Sequence, residues 1–153
     1  MVKKIKSSIK NVKFGKNVTI VEPVNIYGCK IGSNCKIGPF VEIQKNSTIG
    51  NNTKIQSHSF ICELVKIGNN CFIAHSVVFT NDKFKNNGPA KNNKKFWNKT
   101  IIGNNVSIGS NSTILPVKIG DNIIIGAGTV VTKDLLKSGY YVGNPAKFLK
   151  KLN

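Results

Sequence analysis

The chain contains only two histidines and six acidic residues. Several of these scarce groups share one segment: Ser57, His58, Glu63, His75, Asn81 and Asp82. A neutral imidazole accepts a proton near pH 7, which makes His75 a candidate general base. The Asn81 amide can donate to a developing oxyanion. Glu63 and Asp82 can hold hydroxyls or orient an amine. Each residue also has an ordinary reading: His58 as a turn histidine, Glu63 as a solvated corner, Asn81 and Asp82 as turn initiators. The residues are dispersed, so they form a site only if the fold returns the chain at a regular interval.

The interval is visible. From Ile31 the chain reads IGSNCK IGPFVE IQKNST IGNNTK IQSHSF ICELVK IGNNCF IAHSVV FTNDKF. Upstream, FGKNVT IVEPVN IYGCK keeps the pattern with one residue dropped; downstream it returns as IGNNVS IGSNST ILPVK IGDNII IGAGTV. The first position is large and apolar, and the second is often glycine. The fifth is small or β-branched, as in Val18, Cys29, Cys35, Val41, Ser47, Thr53, Val65, Cys71 and Val77. A period of six rotates successive isoleucines by 240° around a 3.6-residue helix and smears them over every side, so a helix is excluded. Short strands with a turn every six residues, at glycine or asparagine, satisfy the pattern. Each rung then buries its apolar residues by stacking on the next. Three of the four cysteines occupy the small inward slot and read as core thiols.

Quoted in this way, the repeats over about residues 14–131 resemble the hexapeptide-repeat acyltransferases. The resemblance implies an all-β fold: a left-handed parallel β-helix of about six coils, three hexads and eighteen residues to a coil. Residues 1–153 are expected to form a single domain, with an external loop at about 83–99 and a cap at about 132–153. Eighteen residues per coil stack Ser57 under His75, with His58 beside them, and Glu63 under Asn81, with Asp82 next to it. The insertion KFKNNGPAKNNKKFW leaves the solenoid just after this group. Its Phe84, Phe96 and Trp97 are too apolar for a purely solvated loop and are expected to pack on a neighbouring surface.

The end of the chain, GAGTVVTKD followed by GNPAK, is similar to the end of these acyltransferases. A short C-terminal helix with Pro145 in its first turn is expected. In the family, acetyl-coenzyme A lies in the groove between two subunits of a trimer. Mapped onto this chain, that implicates Gly109, Ser110, Gly126, Ala127, Lys133, Asn144, Pro145 and Lys147 in donor binding. Within the family, EIQKNSTIGNNTKIQSHSFICE and FIAHSVVFTND resemble the nucleotide-linked 3-amino-sugar 3-N-acetyltransferases. The resemblance implies acetyl transfer from acetyl-CoA to the amine of a dTDP-3-amino-3,6-dideoxyhexose. The alternatives are a UDP-2-acetamido-3-amino uronic acid, or O-acetylation of a sugar or serine. His75 and Asn81 are the catalytic candidates; Glu63, Asp82, His58, Phe84, Trp97 and Tyr27 are the acceptor-binding ones. The chain departs from the pattern after FTND, where an aromatic, a proline and an arginine often follow, and in the short unit ILPVK.

Composition narrows the rest. Formal net charge is +17, and every basic residue is lysine. Lysine lacks the planar fork used in bidentate contacts, and the charge reads either as a compositional bias, like the abundant asparagine, or as a field that suits anionic small molecules; no nucleic-acid-binding module is recognisable. The cysteines form no CxxC pair, and two histidines do not make a zinc site, so no metal is expected. The start has no apolar run of a signal peptide, and IIIGAGTVV is too short to span a membrane. The expectation is a cytoplasmic homotrimer that needs no membrane.

Overall fold

A computed structural model describes residues 2–85, 87–91 and 93–152; loop positions 86 and 92 lie outside it. Its strands, mostly two residues long, form three sheets of seven, six and eight strands, parallel except for the last strand of the third, the faces of a solenoid. Successive strands visit the first, second and third face in turn and then return to the first. On the first face the register runs Ile9, Ile26, Ile43, Ile61 and, beyond the next rung, Ile114 and Val131. The first face thus has seven rungs, beginning at Ile9, one more than the six the repeats promise.

The six-residue rule holds because each position meets a fixed environment. The isoleucines at position one fill the interior: Ile26, Ile37, Ile43, Ile61, Ile73, Ile108 and Ile114 are completely buried. Position five lines the inner corners, where Val41, Ser47, Thr53, Val65, Cys71 and Val77 are buried. Buried hydroxyls there are satisfied between rungs, as Ser47 donates to the Cys62 carbonyl at 2.8 Å and Ser59 to that of Ala74 at 2.9 Å. The core cysteines Cys29, Cys35 and Cys71 are free and buried.

The corner between the second and third faces explains part of the chain's asparagine. Asn17, Asn34, Asn52, Asn70, Asn105 and Asn122 all take φ near +55°, the left-handed region that asparagine tolerates best after glycine. Their side chains donate to one another up the stack at 3.1–3.3 Å.

The C-terminus differs from expectation. Lys147–Lys150 is a strand, not a helix, and pairs antiparallel with Gly139–Val142. The last rung of a solenoid presents an open strand edge, and pairing covers it, whereas one helical turn leaves its own termini unpaired. Phe148 seals the fold-back edge-on against Tyr141, ring centroids 5.4 Å apart. The one helical element among the described residues is a 3-10 turn at Lys94–Phe96, in the external loop.

Candidate active site

Two corners flank the first face, and the candidate residues divide between them. At the corner entering that face, Ser57 stands under His75: Ile55 pairs with Ile73, and the Ser76 N–H donates to the Ser57 carbonyl at 3.0 Å. The column continues upward through Ser110 and Ala127. The Asn111 N–H donates to the His75 carbonyl at 3.0 Å, and the Gly128 N–H to that of Ser110 at 2.8 Å. The structure therefore brings His75 onto one edge with Gly109, Ser110, Gly126 and Ala127. Glycine is required there: a Cβ on Gly109 would collide with the Gly126–Ala127 backbone, and one on Gly126 would lie 2.8 Å from Val142. His58 is one rung below, at φ +63°, stacked on Phe40 with centroids 4.8 Å apart. Both imidazoles are exposed.

The corner leaving the first face carries Glu63, Asn81 and the loop. The Asn81 amide donates to the Glu63 carbonyl at 3.4 Å, one rung below as expected. Asp82 pairs with Trp97 across the loop's neck. Its two carboxylate oxygens accept from the N–H groups of Phe84 at 2.9 Å and Ala90 at 2.7 Å, so its observed contacts are those of a turn. The Glu63 carboxylate is buried and meets Lys94 of the loop at 3.1 Å and Lys45 at 3.7 Å. Lys94 also lies over the Trp97 ring, 5.4 Å from its centroid. Glu63 thus ties the loop to the solenoid.

Between these corners the loop overhangs a groove of about 760 Å³. Its floor is the outward surface of the first face, Gln44, Phe60, Cys62, Val78, Thr80, Leu115 and Thr132; Asn81, Phe84 and Trp97 form a wall. Phe84 is exposed and Trp97 half-buried, while Phe96 turns into a smaller cavity within the loop. The buried Thr80 hydroxyl has no hydrogen-bond partner among the described residues. Burial raises the Cys62 thiol to about 12, with a smaller push from Glu63, so Cys62 is a neutral part of the floor rather than a nucleophile. Cys62 occupies position two of its hexad, not the inward slot of the other three, and that was the sequence signal for the floor. Gln44, one coil below it, shares that position.

His75 and Asn81 do not meet in one chain. They are separated by six residues of nearly extended strand, on the order of 15–20 Å. The remaining candidates are also spread. Tyr27 lies on the first face below Gln44, by the register that pairs Asn25 with Glu42. Lys133 is exposed on the loop side. Asn144 and Pro145 belong to the turn that caps Val130, through the Val130 N–H to the Gly143 carbonyl at 3.0 Å and the Ala146 N–H to the Val130 carbonyl at 2.8 Å. Lys147 begins the terminal strand. No group of three or more metal-ligating side chains converges among the described residues, and no helix there is long and apolar enough to cross a membrane.

Comparison with known proteins finds the same repeats and the same fold elsewhere. Residues 28–63 match the bacterial transferase hexapeptide (six repeats), and residues 99–133 match the hexapeptide repeat of succinyl-transferase. A probable macrolide acetyltransferase of Lysinibacillus sphaericus is 53% identical over 53 residues, 34% of this chain and 29% of that protein. The chain spans less than a third of the length of the first curated relatives it matches. A hexapeptide transferase family protein from Anaplasma phagocytophilum shares the fold, with a TM-score of 0.74 at 21% identity, over 93% of this chain and 80% of that one. A single-residue mutant of AntD, an N-acyltransferase from Bacillus cereus solved with dTDP and coenzyme A, is 25% identical with a TM-score of 0.60, over 95% of this chain and 86% of that one. By its two matched stretches and by its three-faced solenoid, this chain carries the hexapeptide repeats and the fold of bacterial hexapeptide transferases.

Proposed function

We propose that the protein transfers acetyl from acetyl-CoA to the 3-amino group of a nucleotide-linked amino sugar, most simply a dTDP-3-amino-3,6-dideoxyhexose. The observation that carries this reading is the likeness to AntD along nearly the whole chain, because that N-acyltransferase was solved with both a nucleotide and coenzyme A. In this reading the donor runs along the histidine-bearing corner of one subunit past Gly109, Ser110, Gly126 and Ala127, toward Asn144, Pro145 and Lys147, and Lys133, on the loop-bearing corner, approaches a phosphate from the neighbouring subunit. The acceptor occupies the groove beneath the loop, among Asn81, Phe84 and Trp97, and extends down the first face toward Tyr27.

The separation of His75 from Asn81 is resolved by a second copy. The loop-bearing corner of one subunit faces the histidine-bearing corner of another, and three such interfaces close a homotrimer. Proximity then supplies much of the rate. The unprotonated amine attacks the thioester carbonyl, His75 accepts the amine proton, and the Asn81 amide or backbone N–H groups hold the oxyanion. Collapse of the tetrahedral intermediate expels the coenzyme A thiolate, which leaves as the thiol after taking up a proton.

The test is incubation with acetyl-CoA and a panel of dTDP- and UDP-linked amino sugars, amine-free sugars and serine, read by thiol release and product mass. One acetyl on the amine is expected. Acetylation of hydroxyls alone overturns the reading. Sedimentation showing that the active species is a monomer removes the two-subunit site.

A further inference from the structure

At the N-terminal end of the first face lies a second cavity, about 460 Å³, lined by Lys6, Lys10, Lys45, Tyr27, Asn11 and Asn25 among others. Its lining contains no carboxylate. Lys6 and Lys10 have no acidic partner within ion-pair distance among the described residues; Lys45 reaches Glu63 at 3.7 Å. Three ammonium groups around one concavity hold a field that an anion relieves, offset in part by Glu63, which pairs with Lys45, and by Glu42, in register with Asn25. Tyr27 and the asparagine amides add neutral donors suited to phosphate oxygens.

The position of the basin gives it a role. Lys10 pairs with Tyr27 in register. That row continues upward through Gln44, Cys62 and Thr80, the last three being floor of the loop groove. At about 4.8 Å per rung, Tyr27 and Thr80 stand roughly 14 Å apart on one continuous row. A nucleotide-linked sugar lying along the row with its amine toward Thr80 and Asn81 points its diphosphate down the row, where the long lysine side chains reach up from the basin and Lys45 stands next to Gln44.

We propose that this basin is a phosphate site, with Lys6, Lys10 and Lys45 holding the diphosphate of the acceptor and the Tyr27 hydroxyl donating to a phosphate oxygen. The proposal rests on the assignment of the loop groove to the acceptor. It makes phosphate recognition a property of the first two rungs and of the segment preceding them, separate from the donor edge.

The experiment measures inorganic pyrophosphate binding by calorimetry at fixed ionic strength. It compares the full chain with Lys6→Gln/Lys10→Gln and with Lys66→Gln/Lys118→Gln, which removes equal charge from the distant second face. Circular dichroism confirms that each variant is folded. Removing two screened ammonium–phosphate contacts weakens binding about tenfold or more in the first variant. Less than a twofold change is expected in the second. Equal weakening in both, or none in the first, overturns the site and leaves only the overall positive field. In the transfer assay the first variant should raise KM for a nucleotide-linked amino sugar about tenfold, while KM for the same sugar without its nucleotide is unchanged. Equal changes for both acceptors refute the proposal while the acetyltransferase reading stands. Pyrophosphate binding lost only in the first variant, with no transfer to any amine, supports the site and overturns that reading instead.

Discussion

Lys94→Gln should release the external loop from the solenoid without unfolding it. Lys94 is the loop's ionic contact with the body, 3.1 Å from the buried Glu63 carboxylate, and its side chain is 53% exposed. Solvent screens such a pair, so its worth is about 0.5–1 kcal/mol rather than a buried-pair value. Converted at 1.4 kcal/mol per decade, the population of detached loop rises about two- to fivefold. Lys45 still neutralises Glu63, so the carboxylate is not stranded and the global melting transition should hardly move. Chymotrypsin reads the opening, because Phe84, Phe96 and Trp97 are in the released segment and no lysine-specific site is altered. Where opening precedes slow cleavage, the cleavage rate tracks that population. Glu63→Gln should show a similar increase, and the double variant little more than either alone, since both remove one interaction. Strictly additive effects, or unchanged cleavage in Lys94→Gln, would refute the idea that Glu63 holds the loop through Lys94.

Asn70, at φ +55° within the asparagine stack, should separate backbone from side-chain effects. Asn70→Gly loses the ladder bonds, about 0.5–1 kcal/mol, and Asn70→Ala adds the left-handed cost of about 1–2 kcal/mol; equal urea midpoints for the two contradict this. If His75 is the base, His75→Ala lowers kcat at least tenfold with the donor Kd preserved, and retention of more than a tenth of the rate removes that role. Burial raises the thiol of Cys29 to about 11 and that of Cys62 to about 12 from 9.0. The folded chain therefore keeps these protons where the unfolded chain loses them. Their contribution to stability is complete below pH 9 and disappears between pH 9 and 12. Denaturation midpoints that rise with pH across that interval would oppose it, as would rapid alkylation of native Cys62 at pH 8.

The period of six was sufficient to establish stacked rungs, the inward slots and the place where the loop departs. A strict repeat leaves one way to bury every isoleucine, and a residue's neighbours are then found one coil away. That logic placed Ser57 beneath His75 and Glu63 beneath Asn81 from numbering alone. It also located Cys29, Cys35 and Cys71 in the core. What the linear pattern did not contain is how side chains choose among competing partners. Asp82 is occupied by two loop N–H groups, and Glu63 by two lysines, because loop closure brings Ala90 and Lys94 back from outside the repeat, where no periodicity governs. The strand at Lys147–Lys150 has the same origin: local sequence allowed a basic helix, and the open edge of the last rung took the segment instead. Spacing along the chain determined which residues stack; only the folded loop and the exposed strand edge decided which of them are left to bind a ligand.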